Sequence, residues 1–177
     1  MVPSSSRPPF AIKINCDGAF NSSCSLAAFG VIARDCGGKA PIWRVGRVVV
    51  SSAVSVEAWA LRIACSTAME MNYPRVIFDL CQKLISCIND SKRPCPWEIS
   101  SVVEDIKAWA QSRRWSFIWC NREKNQVAHW LASSCLGRNL LSLTGCIPPG
   151  LLPLLAFDVP EDFGLVYLGM LVDLLNL

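Results

Sequence analysis

The chain has 177 residues, of which 52% are apolar and 18% are charged, and its formal net charge is +3. This length and composition fit one domain with a sizeable core, which excludes disordered and fibrous proteins. The positive charge is smaller than that of proteins that coat DNA non-specifically, so charge alone barely favours nucleic acid as a partner.

Ten cysteines accompany a single histidine, and no two cysteines have CxxC spacing. Zinc-ligand spacing is therefore absent. The start of the chain is polar, without the apolar stretch of a secretory signal, and no apolar run is long enough to span a bilayer. We therefore expect reduced cysteines, a location in the nucleus or cytoplasm, and no membrane association.

The first half of the domain has the pattern of an antiparallel meander. Apolar Ile12, Ile14 and Cys16 alternate with polar residues, as in a half-buried strand. Gly18 is expected to begin a loop, and the turn residues at 35–38 predict a hairpin. The three strands are predicted at residues 11–17, 26–34 and 42–50.

The second half alternates helices with short strands. Ser51 and Ser52 are suitable caps for the first helix, and apolar residues recur at helical spacing in the third. Helices are predicted at residues 53–71, 81–88, 98–112 and 124–136, and strands at 75–78 and 115–120. The order βββαβααβα predicts an α/β fold in which helices pack on a mixed sheet.

Three segments follow from these patterns. Residues 1–10 are expected to be a flexible leader, and residues 11–137 the folded domain. Residues 138–177 form an apolar tail rich in Leu and Pro. The tail packs over the edge of the domain, binds a partner or is prone to aggregation.

Two acidic residues are candidates for chemistry. Glu57 lies on a stripe of small apolar residues, where a carboxylate needs a cationic partner or a metal ion. A salt bridge to an arginine is the structural alternative. Asp17 ends the first predicted strand and precedes Gly18, where either a ligand site or an ordinary Asp-Gly turn is possible.

A set of motifs resembles the ribonuclease H superfamily in the form that plants carry in retroelement-derived, reverse-transcriptase-associated copies. Each motif is weak alone, but the ordered set is specific. The motifs are INCDGAF (14–20), GVIARD with GGK (30–35 and 37–39), SVEAWALR (55–62), PWEIS with VEDI (96–100 and 103–106) and REKNQVAHWLA (122–132). The resemblance covers roughly residues 11–150 and implies a five-stranded mixed sheet with antiparallel strands one to three and helices on both faces.

The resemblance also implies a function. In this family, carboxylates gather two Mg²⁺ ions that clamp the scissile phosphate of the RNA strand in an RNA–DNA hybrid, and Mn²⁺ can replace Mg²⁺. Asp17 and Glu57 match the first two metal-ligand positions. We expect a monomer that binds hybrid nucleic acid.

The other two positions of the family site depart from the pattern. The usual run is an acid, a small residue, the catalytic Asp and often Cys, whereas residues 78–81 read FDLC and are one residue short. Asp79 is either the strand-end acid or the displaced catalytic Asp. We assign it as the latter, a third metal ligand, because no other acid lies near the start of that helix. His129 replaces the usual last Asp and either assists proton transfer or is a surface helix residue.

Two functions of different kinds remain open. The first is a hybrid-cleaving endonuclease with Asp17, Glu57, Asp79 and His129 as catalytic residues. The second is a catalytically weakened module that binds nucleic acid or a protein, or a retroelement remnant, because a fold does not decide activity.

Overall fold

The computed structural model describes residues 11–35, 37–40, 42–73, 75–90, 94–137 and 149–157. The predicted leader and much of the predicted tail lie outside these ranges. The strands are β1 (Ala11–Asn21), β2 (Leu26–Arg34), β3 (Ile42–Val49), β4 (Arg75–Leu80) and β5 (Arg114–Trp119). The helices are α1 (Ala53–Glu70), α2 (Gln82–Asn89), α3 (Trp97–Gln111), α4 (Gln126–Gly137) and α5 (Leu152–Phe157).

The strands form one sheet in the order β3-β2-β1-β4-β5. The first three strands are antiparallel to one another, while β4 runs parallel to both β1 and β5. The predicted mixed sheet, and the central position of β1 within it, are confirmed. Lys124 and Asn125, predicted as the start of the last helix, belong instead to a 3-10 turn that covers Arg122–Asn125.

The predicted loop at Gly18 is wrong, because β1 continues through this residue to Asn21. Gly18 pairs with Phe29, and Asn21 with Leu26. A Cβ atom on Gly18 would lie 2.8 Å from Val56 Cγ1. Glycine is therefore required here by the close approach of α1 and not by a turn.

Helices cover both faces of the sheet. On one face, α1, α2 and α3 bury the apolar side chains of β1 and β4, including Ile14 and Phe78. The ring of Phe78 stacks on Phe117 at a centroid distance of 5.1 Å and meets Trp115 edge-on at 5.2 Å. This aromatic group anchors β4 within the main core.

Arg62 connects α1 to α3. The guanidinium of Arg62 lies over Trp59 and Trp109, at 5.2 and 5.3 Å from the ring centroids, and pairs with Asp105 at 3.2 Å. Ser52 caps the start of α1 as predicted, because its hydroxyl accepts a hydrogen bond from the Ser55 N–H. Glu57 follows in the second turn of α1, next to this cap.

On the opposite face, α4 lies directly on β2. A Cβ atom on Gly30 would be 2.5 Å from the Ala128 carbonyl oxygen, so only glycine allows this approach. Leu151 and Leu155, from the described part of the predicted tail, join Leu131 in the apolar cluster on this face. No helix within the described ranges is long and apolar enough to cross a membrane.

The eight cysteines within the described residues are all free thiols. Cys16, Cys65, Cys87 and Cys135 are buried, whereas Cys24 is exposed. Burial raises the pKa of Cys16 and Cys65 above the usual range, which keeps these thiols protonated. Their behaviour matches that of small apolar core residues.

Candidate functional site

The candidate site is a notch beside β1, at the point where β4 stops. Pairing between β1 and β4 ends at Asn15 and Asp79, while β1 continues to Asn21. The part of β1 that follows Asn15 therefore has no β4 neighbour. Asp17 lies in this part, and its backbone pairs only with Gly30 of β2. Side chains from α1 and α4 can reach it there.

Glu57 reaches the notch from the second turn of α1 and meets Asp17. Burial, followed by the charge and hydrogen bond of Asp17, raises the pKa of Glu57 from 4.5 to about 8. The positive charge of Arg122 and a hydrogen bond from the Gly18 N–H act in the opposite direction. The structure thus brings Asp17 and Glu57 together as an acid pair in which Glu57 is largely protonated at neutral pH.

His129 reaches the same carboxylate from α4. Its Nδ1 lies 2.6 Å from Asp17 Oδ2, and its Nε2 lies 3.4 Å from a guanidinium nitrogen of Arg122. The side chain of His129 is partly exposed, whereas that of Asp17 is mostly buried. His129 therefore belongs to the site and is not an isolated surface residue. The motif that contains Arg122 was recognised in the sequence, but this role of Arg122 was not.

Asp79 is not part of this acid pair. Its Oδ2 atom lies 2.8 Å from Lys13 Nζ and accepts a hydrogen bond from Asn15 Nδ2 at 3.0 Å. The side chain is almost completely buried, at 1% exposure. Asp79 thus ends β4 as a carboxylate neutralised by Lys13, and its catalytic role stays a prediction.

A buried amide network separates Asp79 from the acid pair. Asn15 accepts a hydrogen bond from Arg34 at 2.6 Å and donates one to Asn125 at 3.1 Å. Asn125 in turn donates to the Cys16 carbonyl oxygen at 2.9 Å. The sequence placed Asn15 on the same strand face as Asp17, but nothing in its pattern showed that Arg34 and Asn125 converge there.

In the run that is one residue shorter than the family pattern, Asp79 is followed by Leu80 and Cys81. Leu80 points into the main core and is 1% exposed. Cys81 then precedes α2 without a side-chain hydrogen bond to the helix. Burial, and then the negative charge of Glu57, raises the pKa of Cys81. A neutral thiol therefore lies near the acid pair, at the point of the chain where the resemblance implies a further acid.

These donors determine whether the implied pair of Mg²⁺ ions fits the notch. Asp17 and Glu57 are in contact and offer their carboxylate oxygens to one cation. Across the described ranges, no three or more His, Cys, Asp or Glu side chains are arranged to hold a metal ion. With Asp79 bound to Lys13, the donor set does not fit a two-ion arrangement.

Solved structures of ribonucleases H share this fold. RNase H1 from the halophilic archaeon Halobacterium salinarum NRC-1 superposes with a TM-score of 0.66 and is 16% identical, over 72% of this chain and 98% of that one. LC11-RNase H1, isolated from compost by a metagenomic approach and solved with an RNA/DNA hybrid, gives a TM-score of 0.63 at 20% identity, over 74% and 99% of the chains. At such identities the likeness concerns the fold alone.

A third structure, the N-terminal RNase H domain of a Mycobacterium tuberculosis protein, superposes with a TM-score of 0.66 at 13% identity and covers 72% of this chain and 94% of that one. No curated protein sequence is significantly similar to the chain. The sequence profile of the family described as Reverse transcriptase-like matches residues 15–135, which include every strand and helix from β2 to β5 and the whole notch. The chain is a member of this Reverse transcriptase-like family and has the ribonuclease H-like fold.

Proposed function

We propose that this chain binds RNA–DNA hybrids at the notch and hydrolyses them poorly or not at all. Family membership and the fold support hybrid nucleic acid as the ligand, and LC11-RNase H1 was solved with an RNA/DNA hybrid. Arg122 beside His129, together with Lys13 and Lys124 nearby, supplies cationic groups for phosphates. The shape of a hybrid, rather than its sequence, would be recognised.

The observation that carries this proposal is the ion pair between Asp79 and Lys13. It leaves Asp17 and Glu57 as the two acidic side chains that meet in the notch. Two dications held about 3.5–4 Å apart need more negative charge than one such pair supplies. Binding therefore persists in this proposal, while efficient two-metal hydrolysis is lost.

The experiment measures binding and cleavage of a labelled RNA–DNA hybrid by the same protein. We expect binding by fluorescence anisotropy, and little cleavage in Mg²⁺ over several hours. Asp17→Asn removes a negative charge near the phosphates, so it should tighten hybrid binding in a module that only binds. In an efficient nuclease, the same variant would abolish a cleavage that the unmodified protein shows.

Arg122→Gln should weaken hybrid binding, because it removes a cation from the notch. Lys107→Gln is the matched control, since Lys107 lies on α3, which packs on the face of the sheet opposite to α4. Rapid cleavage by the unmodified protein, or equal binding by both variants, would contradict the proposal.

A weak endonuclease is the second candidate, and the contact between Asp17 and Glu57 favours it. In this version the pair holds one Mg²⁺ or Mn²⁺, His129 moves a proton, and Asp79 must leave Lys13 to become a third ligand. Cleavage that appears with Mn²⁺ and disappears in both Asp17→Asn and Glu57→Gln would favour this candidate.

The remaining expectations belong to the same proposal. We infer a monomeric, retroelement-derived protein of plant type that acts in the nucleus or cytoplasm, with residues 11–137 as its functional domain. Support for the retroelement relationship comes from the Reverse transcriptase-like family. Light scattering of the purified chain tests the monomer.

A further inference from the structure

A cavity of about 210 Å³ lies at the carboxyl ends of β4 and β5, next to the notch. It is lined by Lys13, Asp79, Ile118, Trp119, Cys120, Asn121 and Lys124. Its lining does not include Asp17, Glu57 or His129, so it is distinct from the acid pair. The 3-10 turn before α4 contributes Lys124 to the lining, and the residue that caps this turn, Asn121, also lines the cavity.

Asp79 gives this cavity a hydrogen-bond acceptor that lacks a donor. Its Oδ2 atom is bound by Lys13 and Asn15, but within the described structure the buried Oδ1 atom has no hydrogen-bond partner. An unsatisfied buried carboxylate oxygen is unfavourable, so an N–H group that enters the cavity would gain a charge-assisted hydrogen bond.

Trp119 gives the same cavity an aromatic surface. Its side chain is 58% exposed, and that of the neighbouring Ile118 is 45% exposed. An aromatic ring beside a polar pocket suits a planar ligand. Unpaired nucleobases are planar, stack on aromatic side chains, and carry N–H groups on their edges.

Lys124 adds positive charge at the cavity. The turn that carries it is held in place by Asn121, whose side chain accepts a hydrogen bond from the Lys124 N–H at 2.9 Å. With Lys13, the lining has two ammonium groups against the single carboxylate of Asp79. A ligand that joins a base to a phosphate would therefore match the acceptor, the aromatic ring and the cation together.

We propose that this cavity binds an unpaired nucleotide next to the hybrid, with its base against Trp119, a base N–H donating to Asp79 Oδ1, and its phosphate paired with Lys124. This inference rests on the proposed binding of nucleic acid. It adds a single-stranded extension as a preferred feature of the substrate, which the notch alone does not require.

The test compares a blunt RNA–DNA hybrid with the same hybrid carrying a four-nucleotide single-stranded extension, using anisotropy with the full chain. The extension should tighten binding. Trp119→Ala should remove this advantage and weaken the affinity for the extended hybrid by about 5- to 150-fold, as expected from the usual strength of base–aromatic stacking. Trp119→Phe should retain most of it. Trp97→Ala is the control, because Trp97 is 88% exposed and lies at the start of α3.

Lys124→Gln should lower the salt dependence of binding to the extended hybrid by about 0.7 in the slope of log K against log salt concentration. If blunt hybrid binds but the extension gives no advantage, or the advantage survives Trp119→Ala, the cavity proposal is overturned and the proposed function stands. If blunt hybrid does not bind, the proposed function fails. A single-stranded oligonucleotide then tests the cavity alone: binding lost in Trp119→Ala supports it, and no binding overturns it.

Discussion

The imidazole of His129 and the carboxylate of Asp17 form a direct contact, with 2.6 Å between Nδ1 and Oδ2. The contact joins α4 to the part of β1 after Asn15, which does not pair with β4. It occupies one oxygen of Asp17, and the other acidic partner, Glu57, is held largely protonated at neutral pH by its raised pKa of about 8. A dication must therefore compete with an imidazole and a proton for the same two carboxylates.

Restoring the missing acid should increase hydrolysis. Insertion of an Asp between Leu80 and Cys81 lengthens the run to the family pattern and keeps Leu80 in the core, where it is 1% exposed. Together with His129→Asp, it should raise Mg²⁺-dependent hybrid cleavage by at least about tenfold, which corresponds to roughly 1.4 kcal/mol of activation free energy. Insertion of Asn at the same point is the matched control. No gain over that control, in a folded protein, would mean that the assignment of this site is wrong.

Stability without metal should fall as the pH rises past the ordinary pKa of Glu57. The native state holds a proton on Glu57 up to about pH 8, whereas the unfolded chain releases it near 4.5. The unfolded state therefore binds fewer protons in this window, and the free energy of unfolding decreases by about 1 kcal/mol per pH unit. The stabilisation is complete below about pH 4.5 and lost above about pH 8. Urea titrations in EDTA between pH 5 and 8 measure it.

Glu57→Gln should flatten this pH dependence, because the amide does not titrate. Glu104→Gln, at an exposed position on α3, should leave it unchanged. The same slope in both variants would show that another group is responsible.

Gly30 should tolerate no side chain. The Cβ atom of an alanine would lie 2.5 Å from the Ala128 carbonyl oxygen and 2.7 Å from the Ala132 nitrogen, both of which are backbone atoms of α4. Gly30→Ala should therefore lower the free energy of unfolding by about 1–3 kcal/mol. Gly137→Ala is the control, because no atom lies within 4 Å of its added Cβ, and a helical alanine is usually more stable by about 0.5–1 kcal/mol. Equal urea midpoints for the two variants would contradict the packing of α4 on β2.

The cysteines should remain reduced and differ in accessibility. Peptide-resolved mass spectrometry after brief alkylation should show fast labelling of the exposed Cys24 and slow labelling of the buried Cys16 and Cys65. Burial, and then a hydrogen bond with Cys87, raises the pKa of Cys95 to about 11, so Cys95 should also react slowly. A stable bridge between any two cysteines under non-reducing conditions would overturn the expected reducing compartment.

The order of strands and helices along the chain was predictable because each element has a local sequence pattern. The alternation around Ile14 and the cap at Ser52 are visible in a few consecutive residues. The end of β1 was not predictable, since the need for Gly18 arises from α1, far along the chain. Local turn chemistry suggested a loop where tertiary contact produced a continued strand.

The candidate site was predictable only in part, for a similar reason. Asp17 and Glu57 stand out as acids in family motifs, and the structure brings them together. The partner of Asp79 could not be read from the sequence, because Lys13 lies 66 positions earlier and meets it only through the parallel pairing of β1 with β4. Long-range register, rather than residue type, determines which acids share a site.

The aromatic residues that anchor β4 are different from the charged residues of the notch. Phe78, Phe117 and Trp115 hold the strand in place just before Asp79. We therefore expect that a change of acid at this end of β4 alters the folding free energy only slightly. In such a scaffold, stability depends on the packed apolar residues and not on the residues of the site. The fold can therefore tolerate substitutions of site residues and acquire new binding surfaces.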